Sequence, residues 1–368
     1  VSIGLGTGPD NYRKEYLRGN LLREKTSANI MVLNSATNGF PSLSNSKLNR
    51  GYDNKSVAGD ISYGYKDLDI SFSLWTSKGN TEYLVFGTPV SQTYNNQAFA
   101  TDLRFKTNRG YYILFDINSS EDLINQNNPN YLGMLDHTQT ERQSYELLIN
   151  KTLKQMFAYS VGFESEHEEV DYSSYGISFQ KDLKIKAFFG TIEWTKNKNS
   201  WIASARESDH DLYGKQFSWN MGFLHELTKN WSLNISSGTA FRSPNSSELY
   251  GFGSNEKLLP EVSKSHEIGL STRNRNSSFK IVGFTRDTLN LINFNYADYV
   301  LNNIEEASNS GVELRYKWTN NFVDGSLMLR RQNPQDHNQN QLLRRSKQSA
   351  SLSLSKNISG YQLNFNVS

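Results

Sequence analysis

The chain has 368 residues, with 39 Lys and Arg against 37 Asp and Glu and no cysteine. A net charge of +2 gives no reason to expect a nucleic-acid partner or a polyacidic substrate. The lack of cysteine removes thiolate catalysis, zinc–thiolate sites and disulfides. Only 36% of the residues are hydrophobic, yet 20 Tyr, 20 Phe and 6 Trp are present. Disorder would account for the polarity but not for the aromatic content, because disordered segments are poor in such residues. A transmembrane β-barrel accounts for both, with its polar lumen, polar loops and aromatic girdles. No apolar run reaches the roughly 18 residues that a membrane helix needs.

In chain order, Gly4-Leu5-Gly6-Thr7-Gly8 comes first. It looks like a phosphate loop, but neither a helical pattern nor a Lys-Ser/Thr pair follows. Glycines alternating along a strand are better read as leaving room on a lumen face. Period-two alternation then dominates. Ile61, Tyr63 and Tyr65 share a face, Lys66-Asp67 turns the chain, and Leu68, Ile70, Phe72 and Leu74 alternate on the return. Phe99, Leu103 and Phe105 lead through Asn108-Arg109-Gly110 into Tyr111, Ile113, Phe115 and Ile117. Tyr145, Leu147 and Ile149 lead, by a turn at Asn150 to Gln155, into Phe157, Tyr159, Val161 and Phe163.

Phe217, Trp219, Met221 and Phe223 turn at Lys229-Asn230 into Trp231, Leu233 and Ile235. Val312, Leu314, Tyr316 and Trp318 turn at Asn320-Asn321 into Val323, Leu327 and Leu329. Leu352 and Leu354 turn near Asn357 into Tyr361, Leu363, Phe365 and Val367. Strands of about ten residues suit a tilted crossing of the bilayer. Unpaired backbone in lipid is so costly that such strands must pair into a barrel wall. Hairpins recurring about every 40 residues imply some 18–19 strands. Short turns alternate with polar stretches around 34–56, 76–98, 118–142, 243–262, 294–309 and 331–346, read as long extracellular loops. A soluble propeller would repeat a signature in each blade, and none is present.

The stretch Ser237-Gly238-Thr239-Ala240-Phe241-Arg242-Ser243-Pro244 resembles the Gly-Thr-Ala-Phe-Arg-Ala-Pro of TonB-dependent outer-membrane receptors. It continues through Glu248-Leu249-Tyr250-Gly251-Phe252, Leu259-Pro260-Glu261 and Lys264-Ser265-His266-Glu267. Phe284 to Ile292, Asn309 to Leu314 and Leu342 to Gln348 are similar to later strands and loops of the family. The Leu-Tyr-Gly-Phe run, the Leu-Leu-Arg-Arg-Ser-Lys-Gln run and Gly51-Tyr52-Asp53-Asn54-Lys55-Ser56 are most similar to the vitamin B12 (cobalamin) receptor branch. Two segments depart from the family pattern. Glu256 stands where it has Pro after Asn255, and Glu305-Glu306 where it has Gly-Lys.

The resemblance implies an all-β, antiparallel transmembrane barrel in the outer membrane of a Gram-negative bacterium, with residues 1–368 as one barrel domain. The family barrel has 22 strands, of which about 19 are expected here, and Val1 to Ser368 is expected to be a fragment without the plug domain and the last strands. The implied function is import of a scarce large nutrient, cobalamin or a related corrinoid first. A ferric siderophore or haem comes second, and a passive porin or surface adhesin is the reading from another class. Outer-membrane lipid, the TonB protein and the nutrient, a corrinoid or a metal chelate, are the implied partners. Cobalamin receptors bind calcium through acidic early loops, but Asn38 to Asn49 contains no Asp or Glu.

No cofactor, metal or catalytic group is expected. The six histidines are scattered, His167-Glu168-Glu169 reads as a solvated run, and no Gly-x-Ser-x-Gly elbow occurs. The candidate ligand contacts are the aromatics predicted in loops beside Asn and Ser: Tyr52, Tyr94, Tyr131, Tyr250 and Phe252. The competing reading places several of them in the outer aromatic girdle. Arg242 and Glu261 are expected to pack the loop rather than to touch ligand.

Overall fold

The computed structural model describes every residue except 44, 45, 86, 128–134, 155, 175, 359 and 360. The first ten strands are β1 (Ser2–Gly8), β2 (Tyr12–Arg23), β3 (Thr26–Pro41), β4 (Asn49–Tyr65), β5 (Leu68–Val85), β6 (Thr88–Lys106), β7 (Tyr111–Asn127), β8 (Leu135–Leu153), β9 (Phe157–Ser174) and β10 (Ile177–Lys196). Next come β11 (Asn199–His210), β12 (Gly214–Glu226), β13 (Trp231–Arg242) and a short helix, α1 (Ser246–Tyr250). The chain ends with β14 (Glu261–Arg273), β15 (Ser277–Asn295), β16 (Val300–Trp318), β17 (Asp324–Asp336), β18 (Gln348–Ile358) and β19 (Tyr361–Val367).

Each strand pairs antiparallel with its neighbours in sequence, from β1–β2 to β18–β19. The hairpin period implies some 18–19 strands, and 19 are present as one meandering barrel wall. Among the described residues β1 and β19 are each paired on one side only.

Register fixes the two faces. Leu103 lies opposite Phe115, Phe115 opposite Leu147, Leu147 opposite Phe163 and Phe163 opposite Phe188. Farther round, Leu270 faces Ile281, Ile281 faces Leu314 and Leu314 faces Leu329. Leu327, Leu352 and Val367 carry the belt to the last strand. A slip of one residue would move this whole set to the other face, so the belt itself holds the register. Phe188 is 67% exposed and Met221 60% exposed, in a continuous apolar band too large for a water-facing surface. The alternate residues are Ser, Thr, Asn, Gly and charged groups, which bond across strands, as Ser27 does with Ser62 and Ser71 with Asp102.

The expected long loops are largely strand instead. β3 and β4 run to Pro41 and from Asn49, β5 and β6 to Val85 and from Thr88, and β15 and β16 to Asn295 and from Val300. Above the belt, water reaches both faces, so the apolar alternation stops. The backbone ladder needs no alternation and continues, pairing Lys78 with Asn95 and Gln97 with Glu121. The longest departures from the ladder are residues 243–260 and 337–347. At the opposite end the turns are short. Lys66 (φ 54°) and Gly110 (φ 74°) take the left-handed conformations that the turns at Lys66-Asp67 and Asn108–Gly110 require. The turn after β8 begins at Lys154, four residues later than the Asn150 expected.

Of the glycines near the start, Gly4 does not leave open room, whereas a Cβ on Gly6 would meet nothing nearer than Lys14 Cβ at 3.6 Å. A Cβ on Gly4 would lie 1.9 Å from Cε1 of Tyr16, whose ring fills the space from the neighbouring strand. The most completely buried large side chains, Leu249, Leu258, Pro244 and Pro334, all lie at the long-turn end. The packed core thus sits where chain folds back onto the wall, while the wall itself stays two-faced.

Candidate functional site

Residues 243–260 leave the ladder between β13 and β14, whose ends Arg242 and Glu261 are register partners. Arg242 Nε donates to Glu261 Oε2 at 3.0 Å and Nη2 to Oε1 at 2.8 Å. Nη1 donates to both Glu248 oxygens, at 3.2 and 3.0 Å. Glu248 also closes a capping box on α1: its Oε2 accepts the Asn245 N–H, and Asn245 Oδ1 accepts the Glu248 N–H, each at 2.9 Å. Glu261 Oε1 takes a further bond, from the Ile292 N–H at 2.9 Å. One guanidinium therefore ties two strands and the helix into a unit. Burial opposes the charge on Glu261, but the donors on Arg242 and Ile292 outweigh it and hold the carboxyl below the usual glutamate range.

The excursion spreads across the inner side of the mouth from β10 to β16. The Tyr250 ring packs on Phe179 at 5.6 Å between centroids, with Lys181 Nζ 4.0 Å from its centre. Tyr213 Oη donates to the Leu258 carbonyl at 3.1 Å. On the other flank Asn303 exchanges two bonds with the Leu259 backbone, at 2.8 and 2.9 Å, and the Leu301 N–H donates to the Gly253 carbonyl at 2.7 Å. The mouth is narrowed by an anchored segment rich in Asn, Ser and Gly, in which Asn245 accepts from the Glu248 N–H and Asn255 donates to the Leu301 carbonyl.

Of the predicted aromatics, Tyr52 and Tyr94 stand on β4 and β6 rather than in loops. Their parity is opposite to that of Ile61 and Tyr63 on β4 and of Phe99 and Leu103 on β6, so neither belongs to the outer girdle. Tyr94 Oη donates to Asn54 Oδ1 at 2.8 Å, next to Tyr52 and Asp53 on the same strand. Burial, reinforced by the Asp53 charge, pushes the Tyr94 hydroxyl pKa up, so the phenol remains a donor. A Cβ on Gly79 would fall 2.0 Å from the Asp53 carbonyl oxygen and 2.7 Å from Tyr94 Oη, so this approach needs glycine. Next to this cluster, Arg13, Asp53 and Glu82 line a cavity of about 790 Å³, but they share the parity of Ile61 and Phe72, so it lies on the outer face of the wall, opposite to the side that Tyr52 and Tyr94 take. Tyr250 and Phe252 form a second group on the excursion, with Phe252 53% exposed. Tyr131 lies outside the described residues.

Sequence reasoning missed a basic inner wall. Lys280, Arg286, Arg315, Arg330, Arg344 and Arg345 line a cavity of about 510 Å³ that contains only two carboxylates, Glu267 and Glu313. Glu313 is shared by Arg315 and Arg330, the latter at 3.0 Å through Nε. Among the described residues Lys280, Arg286 and Arg345 have no ion-pair partner. Period-two parity carried the signal: Lys280 and Arg286 alternate with Phe279, Ile281 and Gly283. The same face of β6–β9 is acidic, with Asp102, Asp116, Glu146 and Glu164 as successive register partners. The arrangement offers aromatic, amide and cationic groups to a large ligand. Among the described residues no three metal-binding side chains come together.

The model of the family "TonB dependent receptor-like, beta-barrel" matches residues 4–367. Among curated proteins, the chain is 28% identical over 169 residues to the vitamin B12 transporter BtuB of Photobacterium profundum, covering 44% of this chain and 28% of that protein. It is 26% identical over 172 residues to the BtuB of Vibrio vulnificus, with 45% and 28% covered. The matched region thus spans little more than a quarter of these relatives' length. Among solved structures, the siderophore receptor PirA of Acinetobacter baumannii superposes with a TM-score of 0.78 at 13% identity, over 99% of this chain and 66% of that chain. The ferric enterobactin receptor PfeA of Pseudomonas aeruginosa gives 0.79 at 14% identity, over 96% and 65%. At these identities the likeness is one of fold. With the family model matched across nearly its whole length, this chain belongs to the TonB-dependent receptor β-barrels.

Proposed function

We propose that this chain is the ligand-selecting wall of an energised outer-membrane importer for a scarce, large nutrient. The carrying observation is the pairing of an apolar outer belt with an inner mouth narrowed by the anchored 243–260 excursion. A bilayer-spanning wall needs the belt, and a narrowed, polar mouth suits selection of one large ligand. Ligand capture at the mouth, followed by release driven through TonB, fits both features. A corrinoid is the first reading, supported by the similarity to the two BtuB proteins. An anionic metal chelate is the second, favoured by the basic inner wall at Lys280, Arg286 and Arg345.

Equilibrium binding to the full-length receptor in detergent separates them. Saturable retention of radiolabelled cyanocobalamin supports the first, and saturable retention of a ferric catecholate instead supports the second. Retention of neither, with open-channel conductance in planar bilayers, would reject the importer and leave a porin.

A further inference from the structure

The short-turn rim carries charge of one sign. Each turn window runs from the last residue of one strand to the first of the next. The nine windows at the short-turn end hold eleven Lys or Arg and four Asp or Glu. The nine at the long-turn end hold six and seven. An excess of seven cations at one rim stands against an excess of two for the whole chain. All seven successive windows from β2–β3 to β14–β15 contribute at least one cation.

The same rim carries large rings on the lipid-facing side. Trp194 is the register partner of Trp201, whose ring lies 4.2 Å from that of Phe223. Trp231 begins β13 and Trp318 ends β16, each at a short turn. Rings of this kind settle at the level of lipid headgroups. Several cations are held against such rings rather than free in water. Lys25 and Lys66 lie 5.3 and 5.2 Å from the centre of Tyr65, and Lys151 lies 4.0 Å from that of Tyr111.

We infer that this rim is a collar for anionic phospholipid headgroups, such as phosphatidylglycerol or cardiolipin, in the leaflet at the short-turn side. The occupant follows from the distribution. A docked protein would cover one arc, whereas seven consecutive turns present cations, and an annulus of lipid meets them all. The rings fix the height of those cations at the phosphate layer, where each contributes to attraction by an anionic surface. In barrels of this type short turns face the periplasm, so the collar grips the periplasmic leaflet. The inference does not depend on the transported ligand, only on the belt lying in lipid.

Tryptophan quenching in vesicles tests it, because Trp194, Trp201 and Trp231 report on Lys196, Lys198, Lys229, Arg273 and Arg275 nearby in the ladder. The full-length receptor is placed in phosphatidylcholine vesicles containing brominated phosphatidylglycerol or, separately, brominated phosphatidylcholine. The anionic probe should quench about two-fold more strongly at equal mole fraction, and high salt should erase the difference. Replacing those five residues by Gln should abolish the preference while leaving quenching by brominated phosphatidylcholine unchanged, which also shows that the variant is inserted. Equal quenching of the native receptor by the two probes, or a preference that survives high salt, overturns the proposal.

Discussion

Arg242 and Glu261 face each other across the last rung of β13–β14, joined by two nearly parallel hydrogen bonds of 3.0 and 2.8 Å. The guanidinium's remaining nitrogen holds Glu248 of the capping box, so the exit and return of the 243–260 excursion close on one side chain. Replacing Arg242 by Gln should loosen the excursion without unfolding the wall. The side chain is 45% exposed, so screening limits the loss to about 1 kcal/mol. Faster tryptic cleavage at Lys257 is the expected readout. Lys at position 242 should not restore protection, because it lacks the planar fork.

The same carboxylate sets a pH limit. The pKa of Glu261 in the folded state lies below its unfolded value, so its contribution is full above the unfolded pKa and disappears as pH falls through the folded one. A spin label on Phe252→Cys, selective because the chain has no cysteine of its own, should stay immobile down to about pH 4.5 and gain mobility only below it. Mobility gained already near neutral pH would refute this coupling.

Lys181 and Tyr250 should be coupled. With Nζ 4.0 Å from the ring centre, the pair should contribute about 0.5–1 kcal/mol to docking of α1. In a double-mutant cycle read by hydrogen exchange over residues 246–258, Lys181→Ala should matter in the native background and have no effect beside Tyr250→Leu.

Tyr52 and Tyr94 should separate by role. Tyr52→Ala removes an aromatic ring from the inner parity of β4 above the belt and should weaken ligand binding by the full-length receptor about ten-fold. Tyr94→Phe removes only the hydroxyl bonded to Asn54 and should cost about 1 kcal/mol of local stability with a smaller change in affinity. Unchanged isothermal binding by Tyr52→Ala would remove this cluster from the ligand site.

The belt should be intolerant of charge on one parity only. Arg at Leu314, whose register partners are Ile281 and Leu329, should cost about 2–4 kcal/mol near mid-membrane and reduce assembled barrel on heat-modifiability gels. Arg at Ser353, one face over on β18, should assemble normally.

The wall was legible because lipid imposes a strict period. Ile281, Leu314 and Leu329 alternate as sequence alone requires, and the turns at Lys66-Asp67 and Asn108–Gly110 announce themselves by residue type. Above the belt that pressure ends, so Tyr52 and Tyr94 read as loop residues though they stand in ladders. The helix at Ser246–Tyr250 went unread within the expected loop 243–262, because five residues leave no periodic trace. The basic wall needed register: Lys280, Arg315 and Arg330 are far apart in sequence, and only β15–β17 pairing gathers them.

The continuation of the ladder past the membrane has a consequence for how such a receptor changes over generations. Trimming or adding two residues on both arms of an outer hairpin leaves every remaining side chain pointing as before. A single-residue change in one arm inverts the rest of that arm or forces a bulge. Heritable length variation at the outer rim should therefore come in matched even steps, letting the entrance be resized while the bilayer-embedded part is inherited intact.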